Sequence, residues 1–160
     1  MTRAEELVKT FVKANDADIK TVEALTDEQW LLKTAAKGWP VSVVGRHIVA
    51  RAGIDELERI LSGYPTRFWT DMNELDAANA RDARDFADCT KEEVLDLLRG
   101  LSSRIERLVG TLTVEQLKAR GEVLGRGLVI AEQWVAIMML NHVVAHHESI
   151  IQTVSPHSAG

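Results

Sequence analysis

Residues 128–154 read LVIAEQWVAIMMLNHVVAHHESIIQTV, and this stretch decides the fold. Apolar residues recur three and four apart along it, and Trp134 to Leu140 is apolar nearly all round a helix. Such a helix lies in the middle of a bundle or packs on a second subunit, which predicts an all-α chain and a two-fold homodimer. Glu132, Gln133, Asn141 and His142 interrupt the most apolar part, Leu128 to Ala145, so it reads as a buried helix rather than a membrane span.

Outward from this helix the same spacing repeats. Gly121, Gly125 and Gly127 mark a loop before it. A third helix starts at a capping box, Thr90 to Glu93, carries the stripe Val94, Leu98, Leu101, Ile105 and Leu108, and stops near Gly110. Another box, Thr113 to Gln116, follows it. Residues 63–89 form a long polar crossover, in which Asp71 to Phe86 can be helical with Arg81, Asp82, Arg84 and Asp85 on a wet face. The second helix runs from about Pro40 to Leu61 with the stripe Val43, His47, Ala50, Ile54, Leu57 and Leu61, and Gly63-Tyr64-Pro65 ends it. The first helix runs from about Arg3 to Leu25 on Leu7, Val8, Phe11, Val12, Ile19 and Val22, and a box from Thr26 to Gln29 follows. No strand alternation is sustained anywhere. The reading is one domain over residues 1–160, a four-helix bundle with a frayed tail at 155–160.

Composition limits the function. The chain has 160 residues, 46% hydrophobic and 27% charged, enough for a sizeable core. Its 19 basic and 24 acidic side chains leave a net charge of −5, which argues against a nucleic-acid partner. One cysteine, Cys89, excludes an internal disulfide. Met1 to Lys9 is charged and has no apolar leader core, so a cytoplasmic protein is expected.

Three of the five histidines point to chemistry. His142 and His146 are four apart, so their rings project from one helix face about a turn apart. His47 sits in the middle of an apolar stripe and can add a third imidazole. Neutral imidazoles suit zinc, nickel, copper or iron, and three protein ligands leave a position open for water or substrate. A histidine on an apolar stripe is also often a hydrogen-bonded core residue, and an isolated pair is a weak signal. The coincidence of both in one bundle carries the metal reading. His147 is rotated about 100° from the pair and His157 lies in the tail, so neither is included.

Gly38-Trp39, then His47 with Ile48-Val49-Ala50, then residues 75–80 (LDAANA), then residues 141–146 (NHVVAH) occur in this order over nearly the whole chain. In this the sequence resembles the DinB-like superfamily, which includes the mycothiol-dependent maleylpyruvate isomerase N-terminal domain and the bacillithiol transferases. The resemblance implies a four-helix bundle with a long crossover between helices two and three. It also implies a metal, usually zinc or nickel, on His47, His142 and His146, a homodimer, and activation of a low-molecular-weight thiol. The chain departs from the family at Pro40, where Ser or Thr is common as a cap, at Ser149, where Gln is common, and at Arg51, where an acid is frequent. These departures bear on the substrate and the thiol rather than on the metal ligands.

Other residues read more plainly. Arg51 is taken as snorkelling at the bundle edge rather than holding a substrate carboxylate, and Asn15 and Asp18 as facing water rather than orienting a ligand imidazole. Trp39 is read as a packing plug, Cys89 as incidental, and Glu148 as off the histidine face. No catalytic general base stands out. The function expected is a metal-dependent enzyme acting on a small electrophile with thiol or water as nucleophile, a thiol transferase or hydrolase. The alternative is a non-catalytic dimeric bundle, with its metal structural or absent, that binds a partner or stress ligand.

Overall fold

The computed structural model describes residues 1–63, 66–67, 71–124 and 126–156, with the backbone alone at 66, 67 and 124. Tyr64-Pro65, Gly125, His157 and the tail from 157 onward lie outside the described residues. Thr2 opens the first helix, α1 (Arg3–Ala24): its hydroxyl accepts from the Glu5 N–H, and the Glu5 carboxylate accepts from the Thr2 N–H at 2.6 Å. The buried face of α1 is Ala4, Leu7, Phe11, Asn15, Asp18 and Val22, spaced three and four apart. Asn15 and Asp18 therefore do not face water. They stand at core positions, because the phase set by Leu7 and Phe11 carries on to Val22 through them.

The Thr26 and Thr113 boxes form as the sequence predicts, each capping a single turn, α2 (Asp27–Trp30) and, later in the chain, α7 (Val114–Leu117). The predicted second helix is broken in two, α3 (Val41–Ala50) and α4 (Ile54–Ser62). Gly53 makes the break with φ +83°, a conformation that side-chain-bearing residues rarely adopt. The Gly53 carbonyl accepts from Trp134 Nε1–H at 2.9 Å, and an added Cβ would meet Trp134 and Met139 at 3.1 Å. The break shifts the buried phase, so that Ile54, Leu57 and Ile60 are buried while Ala50 is exposed.

The crossover helix α5 (Met72–Asp85) is capped by Asp71, whose carboxylate accepts from the Glu74 N–H. Its buried residues are Ala78 and Asp82, so Asp82 leaves the wet face that the sequence suggested for it. The third long helix, α6 (Lys91–Val109), buries Val94, Leu95, Leu98, Leu101, Ile105 and Val109.

A small sheet contradicts the strand-free reading. Strand β1 (Thr66–Arg67) pairs in parallel with β2 (Arg120–Leu124), which pairs antiparallel with β3 (Gly127–Ile130). The pleat buries Gly121 and Val123 and exposes Glu122 between them. Gly121 lies against Ile60 of α4 so closely that a Cβ would stand 2.9 Å from the Ile60 Cα. Strands of two to five residues are too short for alternation to register in a sequence.

The last helix consequently begins at Ala131 rather than Leu128. It runs through α8 (Ala131–Gln133), a π-helical segment (Trp134–Met139) and α9 (Leu140–Val154). Its apolar part is not buried all round: Trp134, Val135 and Met139 are core, but Ile137 is 51% exposed. Helix α1 packs on α6 and α9, and α3 packs on α9 and α6, giving a four-helix bundle with one continuous core and α5 against α3. Among the described residues, no helix is long and apolar enough to cross a membrane.

Candidate metal centre

The bundle brings His47 from the middle of α3 against His142 and His146 of α9, where α3 and α9 pack together. One nitrogen from each ring lies within 4.8 Å of the others. Ring centroids are 5.2 Å apart for His47 and His142, 4.8 Å for His47 and His146, and 4.6 Å for His142 and His146. A tetrahedral zinc with bonds of about 2.0–2.1 Å would need its donors about 3.3 Å apart, so the three rings would draw closer around it.

Each histidine is prepared for that role by what surrounds it. His47 is buried and its Nδ1–H donates to the Asp82 carboxylate at 2.9 Å, which leaves Nε2 with its lone pair. Both ring nitrogens of His142 are buried with no hydrogen-bond partner among the described residues. Buried polar atoms are normally paired, so an unpartnered imidazole beside two further imidazoles fits a cation, which would take the lone pair of one of its nitrogens. Burial and the neighbouring rings push the His142 pKa down to about 3, and burial and His47 push His146 down to about 4. Burial also holds His47 below its ordinary value, against the opposing pull of Asp82. All three are then neutral near pH 7, the form that binds metal.

Asp82 is itself gripped by Arg51, whose Nε and Nη2 donate to its two oxygens at 2.9 and 2.8 Å. Burial opposes ionisation of Asp82, but the hydrogen bonds from Arg51 and His47 outweigh it and hold the carboxyl below the usual carboxylate range. Arg51, its side chain 36% exposed, thus backs the histidine support through Asp82 from the edge of the bundle. The sequence reading missed Asp82, although Leu75, Ala78, Asp82 and Phe86 share a three-and-four spacing that marks one face.

Trp39 does more than plug a helix start, since its ring stands edge-on to His47 at 5.2 Å. A cavity of about 400 Å³ opens beside the histidines, its walls including Leu75 and Asn79 of α5 and Trp134, Met138 and Met139 of the π-helical segment. Segments of π-helix occur often at functional sites.

The other singled-out residues lie elsewhere. His147 turns to α1, with Nε2 2.9 Å from Thr21 Oγ1 and Nδ1 3.8 Å from Asp18. Asn15 straps α1 to α6 by donating to the Leu98 carbonyl and the Ser102 hydroxyl. Half-buried Cys89 donates to the Ser42 carbonyl at 3.3 Å, and burial raises its pKa to about 11, which makes it a poor nucleophile. Glu148 is exposed and does not line the cavity.

The family model of the DinB superfamily matches residues 11–150, a span that contains all three histidines. No curated protein is significantly similar to the chain. Among solved structures, YfiT from Bacillus subtilis is 19% identical, with a TM-score of 0.71 over 93% of this chain and 86% of that one. YfiT is described as a probable metal-dependent hydrolase with an unusual four-helix bundle topology, and at this identity the likeness is one of fold. With the family model spanning most of its length and the four-helix bundle shared with YfiT, the chain belongs to the DinB superfamily.

Proposed function

We propose that the protein is a metal-dependent enzyme that binds one divalent cation, zinc or nickel, on His47, His142 and His146. The observation that carries this reading is the convergence of three imidazoles, each offering one donor atom within 4.8 Å of the other two, with His142 among them having no hydrogen-bond partner among the described residues. A cation held by His47, His142 and His146 would supply Lewis acidity that lowers the pKa of a thiol or water near neutral pH.

The chain's own residues do the rest. Asp82 holds the His47 ring in one tautomer, and Trp39 braces its other side. Trp134, Met138 and Met139 give the cavity an apolar wall for the body of a small electrophile. A low-molecular-weight thiol is the nucleophile we favour, with water as the alternative, in a cytoplasmic setting that keeps thiols reduced. The YfiT description as a probable hydrolase supports including water. The test is elemental analysis of the purified chain, followed by a screen of the loaded protein with small thiols and electrophiles. About one divalent metal per chain is expected, together with turnover that chelation abolishes. A chain purified without metal that takes up neither zinc nor nickel would sink the proposal.

The outer face of the last helix supports a homodimer. Ile137, Val144 and Ile151 are 51%, 38% and 40% exposed and seven residues apart, an apolar seam that a second copy could cover across a two-fold axis. Light scattering should give twice the chain mass, and Ile137→Asp with Ile151→Asp should halve it.

A further inference from the structure

Helix α5 has little apolar surface in the core. Its buried residues are Ala78 and Asp82, and Ala78 contributes only a methyl group. Elements with few buried apolar contacts open at low free-energy cost. The polar attachment of α5 is better defined, with Asp82 accepting from His47 Nδ1–H at 2.9 Å and from both Nε and Nη2 of Arg51. Two more residues of α5, Leu75 and Asn79, line the cavity beside the histidines. One carboxylate thus joins a helix that lines the cavity to an imidazole of the candidate metal centre.

We infer that Asp82 couples metal binding at His47 to the docking of α5 beside the cavity. The inference rests on the metal reading above. A cation on Nε2 draws electron density from the ring and makes Nδ1–H a stronger donor, so the bond to Asp82 tightens when the metal is bound. Coupling is reciprocal, so whatever seats α5 also raises the affinity for metal, by holding His47 in the productive tautomer and orientation. The metal would then close one wall of the cavity as it fills the site. Asp82 acts through His47 and is a positioning residue.

The experiment uses the full chain with zinc as the probe. Hydrogen exchange followed by mass spectrometry is run with and without zinc, and zinc affinity is measured by chelator competition. Zinc should slow exchange across residues 72–85 in the wild type. Asp82→Asn and Asp82→Ala should each weaken zinc binding by roughly 10–100-fold and remove the slowing. Asp85→Asn, an exposed acid of the same helix, should do neither. The coupling is overturned if the wild type binds zinc while exchange across 72–85 stays the same, or if both Asp82 variants bind zinc as tightly as the wild type. Should the variants not fold, the wild-type exchange result decides alone. A wild-type chain that binds neither zinc nor nickel overturns the metal reading and this inference together, an outcome distinct from the other two.

Discussion

His146 and His147 are neighbours in the chain, and they belong to two buried polar clusters of opposite character. His146 turns to His47 and His142, where donor atoms converge and Asp82 and Arg51 stand behind one of the rings. His147 turns to α1, where Thr21 meets its Nε2 and Asp18 stands 3.8 Å from its Nδ1. Both clusters contain orphaned polar atoms: the two His142 nitrogens in the first, and both Asp18 oxygens with Asn15 Oδ1 in the second. In the first, one of the His142 nitrogens stands within 4.8 Å of donor atoms of His47 and His146, and a cation can take its lone pair. In the second, a carboxyl is buried with no hydrogen-bond partner among the described residues, and burial raises its pKa to about 8. A buried polar group marks a ligand site when its neighbours converge on the same point; otherwise it is a cost to stability.

The largest expected effect tests the first cluster. The double variant His142→Ala, His146→Ala should carry almost no metal by elemental analysis, whereas His147→Ala should retain about one per chain. Full occupancy in the double variant would end the distinction between the two neighbours.

Chelation comes next. The core runs through α1, α3, α4, α6 and α9 without interruption, and each fully buried large apolar side chain contributes roughly 1.5–3 kcal/mol. The apo-protein should therefore keep its helical circular dichroism while losing activity. Metal at about 100 times its Kd should add about 2.7 kcal/mol and raise the Tm. Loss of the helical signal on chelation would make the metal a structural staple and favour the non-catalytic alternative.

The smallest effect belongs to the second cluster. The folded pKa of Asp18, about 8, lies above its ordinary value of 3.8, so the folded state holds the proton more tightly than the unfolded one. Stability from this group is fully present below pH 4 and is lost as pH rises toward 8. Asp18→Asn should remove that loss. The facing ionisable group on α9 is His147, and Asn15 and Thr21 on α1 are neutral. Urea melts should show the variant gaining roughly 1–3 kcal/mol at pH 8 and little at pH 4. A gain independent of pH would mean that Asp18 is not held protonated.

The sequence by itself determined the all-α bundle, the long crossover and the three histidines. These are periodic or local signals: a stripe spaced three and four apart, a Thr-to-Gln capping box, and two imidazoles one turn apart on a helix. The hairpin at residues 120–130 was not legible, because it is held by the fit of Gly121 against Ile60 and its strands are too short for a pattern to emerge. The break at Gly53 follows from the approach of Trp134, 81 residues later in the chain. The docking of Asp82 on His47 and Arg51 was likewise settled by helices distant in sequence, whereas the burial of Asp18 is in phase with Leu7, Phe11 and Val22 on its own helix. Periodicity reports which way a side chain faces on its own helix, and only packing decides what stands opposite. A carboxylate in a polar crossover therefore reads as solvated until an imidazole and a guanidinium are brought against it.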